Sequence, residues 1–184
     1  MNVSRYKRLV LVMCLSFFYA HGMKRDVHMR PEVKCSKEPR YGVPSEEHIT
    51  IYLLAGSDLS NAVLGIATFV AYRDVPYEKT HDILRSHFFT HSDFTDLFKT
   101  HENIIVLQNV SVTEEYRFKG FGKTLLSEAF QYMSAYFGNS LMVWHAYPNG
   151  EKTLSLEKLC ALYKKYGGIM LGSDKDCARF YKKM

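Results

Sequence analysis

Between Val112 and Lys123 the chain reads Val-Thr-Glu-Glu-Tyr-Arg-Phe-Lys-Gly-Phe-Gly-Lys, and the turn Arg117-x-x-Gly120-x-Gly122 holds the residue types that grip a diphosphate. A helix opening at this turn presents amide groups with no internal partner and the positive end of its dipole, which favours an anionic oxygen. Gly120 and Gly122 put no Cβ in the way, and Arg117 and Lys119 add positive charge at the same mouth. Two other phosphate loops fail on spacing. In a P-loop ending at Gly122-Lys123-Thr124 the first glycine would fall at Arg117, and the dinucleotide fingerprint would need a third glycine at Leu125.

The elements around the turn are legible from periodicity. Residues 104–112 form an apolar run that admits Gln108, Asn109 and Ser111 toward its end, which predicts a buried central strand with polar groups near one end. Leu125, Leu126, Ala129, Phe130, Met133 and Phe137 then recur at helical spacing until Gly138-Asn139, predicting a helix that begins near Gly122. Residues 49–54 and 63–72 read as two strands joined across Asp58-Leu-Ser-Asn61, and 141–146 as a further strand. Residues 156–166 read as a short amphipathic helix closed by Gly167-Gly168, with 169–171 and 178–182 as a final hairpin.

In this order the elements and the turn resemble the GNAT superfamily of acyl-CoA-dependent N-acetyltransferases over residues 48–184. That family joins a Val-x-x-x-x-Tyr-Arg-like strand end, here Val112 to Arg117, to Arg/Gln-x-x-Gly-x-Gly/Ala, and often has a glycine where Gly65 enters the third strand. The resemblance implies an α/β fold (in the finer classification α+β), a mixed, mainly antiparallel sheet flanked by helices with a splayed central strand pair. It implies acetyl-CoA as co-substrate, a primary amine as acceptor, and direct acyl transfer. Main-chain groups around Val110 and Val112 would hold the pantetheine arm and the thioester oxygen. The diphosphate would lie on Arg117, Phe118, Lys119, Gly120, Phe121, Gly122 and Lys123, and Asn149 would stand in for the asparagine that contacts the cofactor in many relatives. Tyr163, four residues before Gly167, matches the Leu-Tyr-x-x-x-Gly tyrosine that serves relatives as general acid toward the coenzyme A sulfur. Glu102 is named as base because several members place a glutamate early on this strand. His101, Asn109, Ser111 and His145 are further groups that could relay a proton through water.

Residues 73–103 exceed an ordinary connection and should carry short helices of their own. With His81, His87, His91, His101 and Phe88, Phe89, Phe94, Phe98 the stretch is rich in histidine and phenylalanine. His87 and His91 alone approach ligand spacing and lack a partner carboxylate, so a flap over the acceptor is the reading adopted and no metal is assigned.

Charge and the N-terminus bound the rest. The net charge of +5 divides into +6 over residues 1–40 and −1 over the remainder, which removes a general basic face for nucleic acid. Arg5, Lys7 and Arg8 precede the apolar run 9–20 and Ala20-His21-Gly22, the pattern of a secretory signal, and the run is too short to span a bilayer. Against export stand the cytosolic source of acetyl-CoA and the odd set Cys35, Cys160 and Cys177 that removal of the segment would leave. A packed segment, or a true start at Met23, are the other accounts of residues 1–22. A cytoplasmic protein is expected, with secretion as the alternative. Residues 23–47, with Pro31, Pro39, Pro44 and Gly42, read as an extended basic linker before a single domain at 48–184. The acceptor stays open among small molecule, peptide and tRNA, as does a homodimer. A coenzyme A-binding domain without catalysis, a toxin-type aminoacyl-tRNA acetyltransferase and a secreted binding protein are the alternative functions.

Overall fold

The computed structural model describes residues 27–37, 44–55, 62–87, 101–148 and 154–184. Its strands are β1 (Val27–Lys37), β2 (Ser45–Ala55), β3 (Ala62–Arg73), β4 (Asn103–Val112), β5 (Ser140–Ala146), β6 (Ile169–Ser173) and β7 (Ala178–Lys183). They form one sheet in the order β1-β2-β3-β4-β5-β7-β6, antiparallel throughout except for β4 and β5, which run parallel. Helix α1 (Tyr77–Ser86) follows β3, α2 (Phe121–Phe137) makes the crossover between β4 and β5, and α3 (Leu156–Lys165) follows β5. This is the mixed, mainly antiparallel α+β architecture that the resemblance implied.

Alternation along the strands divides the core between two faces. On the first, Ile49, Ile51, Leu53, Phe69, Ile105, Leu107, Trp144 and Phe180 pack with Leu125, Leu126, Ala129, Phe130, Met133 and Phe137, the buried stripe of α2, and with Tyr163 of α3. On the second, Ile104, Val106, Leu141 and Val143 pack with Val75 and with Leu84 of α1. The stripe read from the sequence is therefore the stripe that is buried. Gly120 caps the start of α2 in the left-handed region at φ 90° and Gly138 ends it at φ 58°, conformations that a side chain disfavours. Ser155 caps α3, its hydroxyl accepting from the Lys158 amide at 3.4 Å.

The linker reading of residues 23–47 is corrected by β1, which pairs with β2 from Val27↔Ala55 to Lys37↔Glu46. Val27, Met29, Val33 and Cys35 alternate with polar residues, a strand signal that Pro31 and the local charge obscured. β1 is an edge strand, where proline is tolerated because one side of the backbone needs no partner. The short helix expected in 73–103 is α1. The turn at 58–61, the stretch 88–100 with His91 and its four phenylalanines, and the N-terminal 22 residues lie outside the described residues. Among the described residues no helix is long and apolar enough to cross a membrane.

Candidate functional site

β4 and β5 pair over five positions, Asn103↔Ser140 to Leu107↔Trp144, and pair no further. Beyond that point β4 runs on to Val112 beside β3 alone, and β5 runs on to Ala146 beside β7 alone. The two strands thus part at mid-sheet, the splayed pair that the resemblance implied. A bulge marks the same place. Phe69 faces Leu107 and Thr68 faces Asn109, so Gln108 is the extra residue on β4.

That one residue resets which side chains face where. Ile105 and Leu107 belong to the first core face; past the bulge Val110 packs against the same face, and Val112 Cγ2 lies 3.5 Å from where a Cβ on Gly122 would stand. Asn109 and Ser111 consequently turn to the second face, where both are exposed. The backbone follows the same alternation. The Thr113 amide donates to Leu64 O at 2.9 Å, and Ser111 O lies 2.8 Å from a Cβ built on Gly65, so residues 111 and 113 direct their peptide groups toward β3. Val110 and Val112 then direct theirs into the gap. Arg117 Nε, folded back from the turn, donates to Val112 O at 3.0 Å and closes the rim.

From the end of β4 the chain makes a 3₁₀ turn at Glu114–Tyr116 and enters α2 through 117–120. Gly120 O accepts from the amides of Lys123 and Thr124, while no backbone carbonyl among the described residues accepts from the amides of 118–122. Nothing lies within 4 Å of the Cβ position on Gly120. Amides without a backbone acceptor and the basic residues Arg117, Lys119 and Lys123 thus gather at the turn that follows the free half of β4. Phe118 carries an exposed ring and a φ of 61°. Phe121 packs edge-to-face on Tyr116, with ring centroids 6.1 Å apart.

Tyr163 approaches from α3. Its ring lies 5.4 Å from Trp144, the last β5 residue paired with β4, and 5.7 Å from Phe180, so the fold brings it to the apex of the parting. The side chain is only 7% exposed, and burial pushes its pKa up to about 12. It is therefore a hydroxyl that keeps its proton at neutral pH and can donate it in a hydrogen bond. Gly168 makes this packing fit: a Cβ there would stand 2.7 Å from the Trp144 ring and 3.0 Å from Tyr163 O. The Tyr166 hydroxyl donates to Lys123 O at 3.0 Å and ties α3 to the first turn of α2.

The remaining candidates divide by position. Glu102 precedes β4 at its paired end, eight residues and about 26 Å of strand from Val110, and the fold does not bring it to the gap. Its carbonyl accepts from the Val75 amide at 2.8 Å, and neighbouring His101 meets Asn139 at 3.0 Å, which are structural roles. His145 is placed otherwise. It is the first β5 residue past the last β4 pair and lies on the second face, with Asn109 and Ser111 and opposite to Tyr163. Burial first, then the positive charge of Arg179, hold its pKa below the ordinary histidine value. His87, at the end of α1, is lowered by burial as well, and its Nε2 lies 2.9 Å from the Tyr72 hydroxyl. Gln108 carries no signal of its bulge in the sequence, because a bulge leaves no mark in periodicity except the polar residues that interrupt the apolar run. Asn149 lies outside the described residues. Among the described residues no group of three His, Cys, Asp or Glu could hold a metal ion.

No family model and no curated protein sequence matches the chain. Solved structures similar to it include NAA60 of Arabidopsis thaliana in complex with a bisubstrate analogue, at 16% identity and a TM-score of 0.47, covering 74% of this chain and 76% of that one. Arylalkylamine N-acetyltransferase 2 of Aedes aegypti is similar at 15% identity and 0.45, covering 73% and 72%. A mutant form of the spermidine/spermine N-acetyltransferase SpeG of Vibrio cholerae is similar at 15% identity and 0.42, covering 75% and 64%.

Proposed function

We propose that this chain is a GNAT-type N-acetyltransferase that moves an acetyl group from acetyl-CoA directly to a primary amine. The observation that carries the reading is the parting of β4 from β5 beside the amides of 118–122, which have no backbone acceptor among the described residues. A diphosphate on that turn places the pantetheine arm along the free edge of β4, where the peptide groups of Val110 and Val112 stand in for the missing strand. The thioester then lies near the apex, between Tyr163 on one face and His145 on the other.

Each step has a residue of suitable chemistry. An amide on the free β4 edge polarises the thioester carbonyl and stabilises the oxyanion that forms as the amine attacks. His145, kept neutral by burial, accepts the proton of the attacking amine directly or through water, and in this role it replaces Glu102. Tyr163 donates a hydrogen bond to the departing sulfur. With a pKa near 12 against ~8.5 for a thiol, it stabilises the thiolate more than it protonates it. Bulk water completes the proton transfer.

The test is release of coenzyme A thiol by the purified full chain supplied with acetyl-CoA and a panel of small amines, peptides and aminoacyl-tRNA. Acceptor-dependent release of one thiol per acetylated amine is expected. Saturable binding of acetyl-CoA without transfer to any acceptor would reduce the chain to a coenzyme-binding domain.

A further inference from the structure

We infer that the ring of Phe118 is a stacking platform for the adenine base of the coenzyme, an inference that rests on the acetyl-CoA reading above. Phe118 is 78% exposed, more than any other large hydrophobic side chain among the described residues. Its φ of 61° lies in the left-handed region, where a bulky residue is an outlier and glycine or asparagine is at ease. The turn therefore carries two features that folding alone disfavours, an apolar ring in water and a side chain on strained backbone. Neither is offset by packing within the fold, and a left-handed phenylalanine invites a functional explanation.

The position names the occupant. Phe118 sits within the run whose amides have no backbone acceptor among the described residues, and Arg117, Lys119 and Lys123 neighbour it in the sequence. Across 117–123 there are three cations and no carboxylate. In coenzyme A the adenine is joined to the diphosphate through one ribose, which carries a further phosphate. A diphosphate on amides 118–122 thus leaves the purine within reach of the first large apolar surface beside it, and that surface is Phe118. An aromatic ring against a purine face covers apolar area on both and needs no hydrogen-bond pattern. Water exposed in the free protein becomes water released in the complex.

The proposal separates from a structural role because the substitutions that remove the ring also relieve the backbone. Phe118→Gly and Phe118→Asn should melt no lower than the unaltered chain, while Phe118→Trp keeps a ring. Calorimetry with coenzyme A is compared with 4′-phosphopantetheine, which lacks the adenosine together with the two phosphates it carries. Loss of the ring should weaken coenzyme A by about tenfold, within the range for base–aromatic stacking, and leave 4′-phosphopantetheine unchanged. Phe118→Trp should bind coenzyme A at least as tightly as Phe118 does. Unchanged coenzyme A affinity in both ring-less variants, or equal loss for the two ligands, would overturn the platform while leaving the acetyl-CoA reading intact. An unaltered chain that binds neither ligand would overturn that reading, and the platform with it.

Discussion

Tyr163 and His145 stand on opposite faces of the sheet at the same level, and the acyl-transfer proposal assigns the first to donate and the second to accept a proton. Tyr163→Phe removes the donor and keeps the ring packing on Trp144 and Phe180. Acid–base assistance is typically worth ~10²–10⁴-fold, so kcat should fall within that range with little change in KM for acetyl-CoA, as read by thiol release. His145→Gln should remove the acidic limb of the kcat/KM profile. In the unaltered protein that limb should fall below pH 6.5, because burial lowers the imidazole pKa and the neutral form persists to more acid conditions. A limb above pH 6.5 would exclude His145 as the base. At this scale Tyr163 was proposed from the family resemblance of its Leu-Tyr-x-x-x-Gly setting, whereas nothing in the sequence favoured His145 over Glu102. The choice depends on which end of β4 opens, and that is a property of strand pairing.

The elements of the proposed site are a strand that loses its neighbour and a helix that starts beside the loss. β4 and α2 were legible because one is an apolar run and the other an uninterrupted stripe. Gln108 was not, since an extra residue changes pairing without changing composition. β1 was hidden for a different reason: Pro31 argues against a central strand but is compatible with an edge. Two glycines hold these elements together. Gly168→Ala sets a Cβ against the fully buried Trp144 ring and should destabilise the fold by about 1–3 kcal/mol in denaturant melts, because that ring has no space to yield. Gly65→Ala meets Ser111 O at 2.8 Å and Leu125 Cδ2 at 3.1 Å. It should push β3 from the free half of β4 and weaken acetyl-CoA binding together with stability. A Gly65→Ala protein with unchanged melting and coenzyme affinity would show that the β3–β4 spacing is not needed.

Over the whole molecule, one sheet carries two chemically different faces. Helices α2 and α3 cover the first with a large aromatic core, and the second holds the smaller cluster under α1 with His87, Tyr72 and His145 around it. The titrating groups there predict the pH window of stability. His87 and His145 have folded-state pKa values below 6.5, so the unfolded chain binds more protons just below that value and stability should decline as pH drops from about 6.5. Tyr72 and Tyr163, pushed up to about 12 from 10.0, work in the opposite direction. Their contribution is complete below pH 10 and is lost as pH rises from 10 toward 12. Thermal melts across pH 5–11 should therefore show a plateau with a shoulder at each end. Strands β2 to β7, helices α2 and α3 and the glycine turn were visible in periodicity and glycine placement, while the sheet's arrangement came from the family resemblance and β1 was missed; no local pattern encodes the register by which β3, β4, β5 and α1 assemble the second face.

The central claim is that outward amides at the start of α2 hold a diphosphate whose thioester arm runs along the free edge of β4. Amide chemical shifts followed in the ¹⁵N-labelled full chain during titration with acetyl-CoA test it most directly. The account predicts large saturable shifts at Phe118, Gly120, Phe121, Gly122, Val110 and Val112, with little change at the distant paired end of β4 around Glu102. Saturation with those six amides unmoved, or shifts confined to another part of the sheet, would contradict it.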